Sequence, residues 1–170
     1  MAHLALISVF CPDRTGLVAA VTGRLFDLGI NLGDTSFSVL GSGAELTAVC
    51  ECPDTLSLEE LEDGLKDMAE LGPAEIKVSP FNLDPRPGPS SEVTHQIVVR
   101  GGDQPGLVAR LCEVFIEFRA NIVRLDAGAE NSDYVIRLAV FIPDHSAEAC
   151  LATLKNTAEG LQLSFESARS

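Results

Sequence analysis

CPDRTGLVAAVTGRLFDLGIN, from Cys11 to Asn31, reads as the end of a strand, a tight turn, a helix and the start of a second strand. Asp13 and Thr15 precede the periodic segment and suit the capping of a helix N-terminus. Leu17, Val21, Leu25 and Leu28 recur close to the helical period and make one apolar stripe. Gly29 suits the left-handed residue that closes a helix.

The same pattern returns from Gly101 to Asn121. Asp13, Gly16, Leu17, Val18, Ala19 and Asn31 become Asp103, Gly106, Leu107, Val108, Ala109 and Asn121, at a constant offset of 90 positions. Working outward, residues 2–10 form an apolar, β-branched run, a strand with Ile7 and Val9 on one face. Strands are predicted over residues 31–40 and 45–52, with Gly41-Ser42-Gly43 turning between them. Ser57 and Glu60 make a capping box for a helix carrying Leu58, Leu61, Leu65 and Met68. Gly72-Pro73 is expected to end it, before a strand over 74–78.

The order is βαββαβ, and it repeats. Strands are predicted at 93–100, 121–127, 134–142 and 161–165, with helices from Leu107 and over 146–158. Arg119 stands where the first copy has Gly29, so this helix is expected to end differently. Element-by-element repetition predicts two equivalent domains, residues 1–81 and 93–170. The segment 82–92, NLDPRPGPSSE, holds three prolines and reads as an extended, semi-stiff linker. Each βαββαβ unit should close as an α+β, ferredoxin-like fold: a four-stranded antiparallel sheet with two helices on one face. The bare sheet face, or a sheet edge, then asks for cover from a sister domain or a second chain.

Composition narrows the class. The formal net charge is −13, which repels phosphate backbones and argues against direct nucleic-acid binding. No apolar run reaches the roughly 18 residues that span a bilayer. Met1-Ala2-His3-Leu4 carries no basic segment of the secretory kind, so a cytoplasmic protein is expected. Five cysteines without framework spacing fit a reducing compartment.

The turn offers chemistry suited to a small zwitterion. Backbone N–H groups of Gly16 and Leu17, unpaired at a helix N-terminus, can receive a carboxylate, and Gly16 lets a ligand approach the backbone. Asp13 can accept from an ammonium group, and Arg14 can pair with a carboxylate. Asn31, expected near the same end of the sheet, offers both donor and acceptor. The same residues also suit a purely structural role: Asp13 as a cap, Gly16 for packing, Asn31 closing a turn, Arg14 as a solvated charge.

DRTGL with GIN, and DQPGL with ANI, resemble the ACT-domain signature, a regulatory amino-acid-binding module, over nearly the whole chain and twice. Two such domains in series resemble the glycine cleavage system transcriptional repressor family. That resemblance implies a non-enzymatic regulator without a cofactor, a ligand such as glycine or serine, and a protein partner such as a transcription factor. A homodimer, paired through helices or sheet edges, is the expected assembly. The resemblance places ligand contacts at Cys11, Asp13 and Asn31 in the first copy, and at Gly101, Asp103 and Asn121 in the second. Gly16, Leu17, Gly106 and Leu107 supply the turn backbone. Asp13 and Asp103 depart from the neutral amide found there in some binders, and Cys11 and Gly101 from a polar side chain.

Other chemistry is sparse. Cys50 and Cys52 share one strand face and match Val140 and Ile142 in the repeat, so they read as core residues and not as metal ligands. Cys112 and Cys150 read as packing residues of helices. Cys11 at a helix N-terminus is a candidate for a lowered thiol pKa, and with Asp13 for a weak enzymatic alternative. His95 is in phase with Ile97 and Val99 and should be half-buried; neither it nor His3 or His145 recurs at the offset. Glu59, Glu60, Glu62, Asp63 and Asp67 read as a solvated helix face. The competing functional class is a ligand-independent dimerisation or protein-interaction module.

Overall fold

Alternation builds the first strand: Ala5, Ile7, Val9 and Cys11 are buried, and the residues between them are not. The computed structural model describes residues 3–170. Ala2, read from sequence as part of this strand, lies outside the described residues, as does Met1 of the N-terminal stretch.

The first unit runs β1 (His3–Pro12), α1 (Leu17–Asp27), β2 (Asn31–Leu40), β3 (Gly43–Cys52), α2 (Leu58–Lys66) and β4 (Glu75–Pro80). The second runs β5 (His95–Gly101), α3 (Leu107–Glu117), β6 (Asn121–Glu130), β7 (Asp133–Phe141), α4 (Ala147–Gly160) and β8 (Ser164–Arg169). The sheets have the orders β2-β3-β1-β4 and β6-β7-β5-β8, and every neighbouring pair is antiparallel. The compact units are Met1–Pro85 and Arg86–Ser170, divided inside the proline-rich segment.

Each unit has its own core. In the first, Ile7, Val9, Leu46 and Ala48 pack with Val21, Leu25, Leu61 and Leu65. In the second, Ile97, Val99, Ile136 and Leu138 pack with Leu111, Phe115 and Leu154. Cys50 and Cys52 are buried in the first core as Val140 and Ile142 are in the second. Burial of an isolated leucine-sized side chain is worth roughly 1.5–3 kcal/mol, so these contacts dominate the stability of each half.

Of the local expectations, one holds and others are corrected. The capping box forms, with Glu60 N–H donating to Ser57 Oγ at 3.1 Å and Ser57 N–H to Glu60 Oε2 at 2.8 Å. The helix it starts stops at Lys66, well before Gly72, and Ala69–Leu71 makes a separate 3-10 turn. Glu62 is more than a solvated charge: its Oε2 accepts the Val78 N–H at 2.9 Å and ties α2 to β4. The last strand begins at Ser164 and not at Leu161, because α4 continues to Gly160 and Leu161 N–H still donates to Ala158 O at 3.0 Å. His95 is only 5% exposed, deeper than half-buried.

The segment 82–92 is not uniformly extended. Pro89–Ser91 forms a 3-10 turn, and Ser91 N–H donates to Gly88 O at 3.0 Å. Proline at its first position fits, since the ring fixes a helical φ and the absent N–H has no partner to lose there.

Arg119 does not end α3 differently. It takes φ 53, as Gly29 takes φ 74. Ala120 N–H donates to Phe115 O at 3.0 Å, as Ile30 N–H donates to Leu25 O at 3.0 Å. Packing of the following strand outweighs the roughly 1 kcal/mol that a left-handed conformation costs a residue with a Cβ.

Candidate functional site

The turn between β1 and α1 is held by backbone. Asp13 N–H donates to Ser42 O at 2.9 Å, which pins the turn to the β2–β3 hairpin. Gly16 is the residue preceding the helix, with φ 86 and ψ 0, and no side chain caps α1. Asp13 and Thr15 therefore do not cap it, contrary to the sequence expectation. The left-handed backbone explains the glycine, and space beyond its Cα is open to 4 Å. Leu17 N–H is not free, since it donates to Arg14 O at 3.3 Å. Asp13 and Arg14 are exposed.

The second turn repeats this backbone. Gly106 has φ 78, Leu107 N–H donates to Gln104 O at 3.3 Å, and Asp103 is exposed. Its side chains are engaged differently at one position. Gln104, at the position of Arg14, donates from Nε2 to Leu161 O at 2.9 Å and anchors the turn to the end of α4. Arg14 has no such anchor.

Cys11 is a core residue, 2% exposed, opposite Ala44 in the β1–β3 ladder. Burial raises its thiol pKa, Arg14 lowers it and Asp13 raises it, and the net direction is up. The helix N-terminus does not activate it, so Cys11 is neither a reactive thiol nor a side-chain contact for a solvent-borne ligand.

Asn31 is not at the end of the sheet that carries the turn. It pairs with Glu51 on β3, and Glu51 pairs with Leu4 near the start of β1. The turn follows Pro12 at the other end, nine residues along, or about 30 Å at 3.3 Å per residue. The cause is α1 itself: a strand, a helix and a parallel strand return the chain to the end where it began. Asn121 likewise pairs with Phe141, at the end of the second sheet remote from its turn. Within one unit, turn and asparagine cannot hold one amino acid together.

What surrounds the two asparagines differs. Asn31 is exposed and lines a hollow of 230 Å³ with Leu4, Gly33, Asp34, Glu51 and Pro85. Asn121 donates from Nδ2 to Ser90 O at 2.8 Å, so the proline-rich segment occupies it. A second hollow, of 330 Å³, lies at the turn end of the first sheet between Phe10, Pro12, Leu40 and Glu75. A groove of 530 Å³ runs between α1 and α2, where Arg24 Nε donates to Gly64 O at 3.1 Å.

Among the described residues, no three His, Cys, Asp or Glu side chains cluster to hold a metal ion. Among those residues no helix is long and apolar enough to cross a membrane. Burial raises the pKa of Cys50 to about 12, with Cys52 beside it adding to the rise.

No protein-family model and no curated protein matches the sequence. Solved structures do match in fold. An unknown protein from Galdieria sulphuraria superposes with a TM-score of 0.75 at 17% identity, covering 100% of this chain and 99% of that one. A structure assigned to a glycine cleavage system transcriptional repressor superposes with a TM-score of 0.70 at 13% identity, covering 100% and 98%. Two βαββαβ units in series, matched end to end in this way, give this chain a tandem ACT fold that resembles the repressor throughout its length.

Proposed function

We propose that this is a non-enzymatic regulatory protein that binds a free amino acid, of the glycine or serine type, in its first unit. One observation carries the reading. In the second copy both equivalent polar groups are engaged by the chain itself, Gln104 on Leu161 and Asn121 on Ser90. In the first, Arg14 and Asn31 stand exposed. Polar side chains with no structural employment, at the positions that are employed in the sister copy, are what a ligand site leaves behind.

The hollow at Asn31 suits a zwitterion. The Asn31 amide N–H can donate to the ligand carboxylate, and Asp34 or Glu51 can accept from its ammonium group. The Asp13–Leu17 turn, with Gly16 open to approach, lies too far from Asn31 within the unit to share one ligand molecule with it. In the second copy Asp103, Gly106, Leu107 and Asn121 form the corresponding set, of which Asn121 is engaged by Ser90.

The effector role rests on a protein partner such as a transcription factor. Phe26 and Ile116 support it: they occupy the same position in the two copies and are 78% and 77% exposed. An apolar side chain exposed at the same place on both helices fits protein docking better than contact with DNA, and the charge of −13 argues in the same direction.

Thermal unfolding of the full chain with the common amino acids at millimolar concentration tests the ligand. Glycine or serine should raise the midpoint, since a ligand at 100 times its Kd adds about 2.7 kcal/mol. Asn31→Ala should abolish the shift and Asn121→Ala should keep it. No response to any amino acid overturns the proposal.

A further inference from the structure

Cross-strand register decides what stands beside Phe10. Its direct partner on β3 is Glu45, and on β4 it is Glu75. Direct partners share one face of a sheet and bring their Cβ atoms to about 4.5–5.5 Å. Phe10 therefore stands between two carboxylate residues roughly 10 Å apart, which is two strand spacings. Val9 and Cys11 point into the core, so this is the sheet face away from the helices, and Phe10 is 42% exposed on it. Among the described residues neither Glu45 nor Glu75 is ion-paired, and Lys77, two residues along β4, pairs with neither.

Phe10 also walls the 330 Å³ hollow, together with Pro12, Leu40, Pro73 and Glu75. Gly43 makes room for the ring, since a Cβ on that residue would stand 2.6 Å from Phe10 Cζ. In the second copy Arg100, Glu130 and Asp133 hold the places of Phe10, Leu40 and Gly43. Arg100 Nη1 lies 3.7 Å from Glu130 Oε2, and its cross-strand partners are Val135 and Ser164. There the chain supplies both the cation and its carboxylate. The first copy has carboxylates, an aromatic ring and a cavity at the same place, and the cation is left to come from outside.

We infer that this hollow binds an organic ammonium ion with a short apolar body and no carboxylate. The ammonium group gains from the Glu75 carboxylate and from the negative face of the Phe10 ring. The apolar body lies against Pro12, Leu40 and Pro73. The volume sits at the small end of the range for small-ligand cavities. A carboxylate on the ligand would meet Glu75 and Glu45, so the hollow takes an amine and excludes a free amino acid. The inference is independent of the amino-acid reading, because Asn31 lies at the other end of the sheet.

Ligand-observed NMR titration of the full chain with n-butylamine tests it. The amine, cationic at neutral pH, should bind saturably. Butan-1-ol lacks its charge, and norvaline adds a carboxylate to the carbon that bears the amine; neither should displace it at equal concentration. Glu75→Gln and Phe10→Leu should each weaken binding at least about threefold, while Asn31→Ala leaves it unchanged. Raising sodium chloride from about 50 to about 500 mM should weaken it as well. Glu75 is exposed on an edge strand, so Glu75→Gln reads the site even should Phe10→Leu fail to fold. Absence of saturable binding, binding indifferent to Glu75→Gln, or displacement by butan-1-ol or norvaline would each overturn the assignment.

Discussion

Asn121 donates to the carbonyl of Ser90 at 2.8 Å, whereas Asn31, ninety positions earlier, meets no such acceptor. The bond spans 31 residues and fastens the proline-rich segment to the start of β6. Its removal in Asn121→Ala should cost about 0.5–1.5 kcal/mol, toward the lower figure because the bond is exposed. Hydrogen exchange over residues 86–92 should accelerate. Asn31→Ala should change stability by less than about 0.5 kcal/mol. Equal costs for the two variants would mean that the copies do not differ as described.

Arg119 holds a left-handed backbone that Gly29 holds without strain. Arg119→Gly should stabilise the chain by about 0.5–1 kcal/mol after the added freedom of the unfolded glycine is counted. Gly29→Ala should destabilise it by about 1 kcal/mol. Urea unfolding of both variants gives the two signs directly.

His95 is buried beside Thr94, whose hydroxyl lies 2.9 Å from Nδ1. Burial lowers its pKa below the ordinary 6.5, the charge of Arg169 lowers it further, and Asp144 opposes both. A histidine lowered in the folded state favours folding above pH 6.5, and that contribution is lost as pH falls through the folded value. The thermal midpoint should therefore begin to drop below pH 6.5, and His95→Gln should flatten that limb. A steeper limb in the variant would refute the assignment.

Further acid loss belongs to carboxylates. Glu60 is lowered by the Ser57 backbone and hydroxyl, Glu62 by Lys66 and the Val78 N–H, and Glu130 by Arg137 and Arg100. Each contributes above the ordinary value of 4.5 and loses its contribution as pH falls below it. A second decline under pH 4.5, attenuated in Glu62→Gln, is the expected profile in a pH series of thermal midpoints.

Four thiols are shielded: Cys11, Cys50, Cys52 and Cys150 are buried, and burial raises the pKa of each. Cys112 is partly exposed. Alkylation of the native chain near pH 8 should label Cys112 first, with the others reacting on unfolding. Early labelling of Cys11, read by peptide mass, would contradict its placement in the core.

The periodicities in the chain carried the architecture. Leu17, Val21 and Leu25 declared α1, the alternation through Ile7 and Val9 declared β1, and the 90-residue offset declared the duplication. The site was less legible. The position of Asn31 remote from the turn could have been inferred, because a helical crossover always returns a chain to the start of the preceding strand. Asp13 looked like a cap because its residue type suits one, yet Gly16 supplied the conformation that starts the helix. Gln104 on Leu161 and Asn121 on Ser90 join residues 57 and 31 positions apart, and no local pattern announces such contacts.

The separation of Asn31 from the Asp13 turn has a consequence for the proposed binding of an amino acid. Each molecule has one Asn31 and one Asp13 turn, about 30 Å apart along a sheet. A ligand that grips both must bridge two molecules, and its occupancy then depends on protein concentration as well as its own. Dilution would release such a ligand as surely as depletion, and under the proposed function its occupancy would report the abundance of the protein together with that of the amino acid.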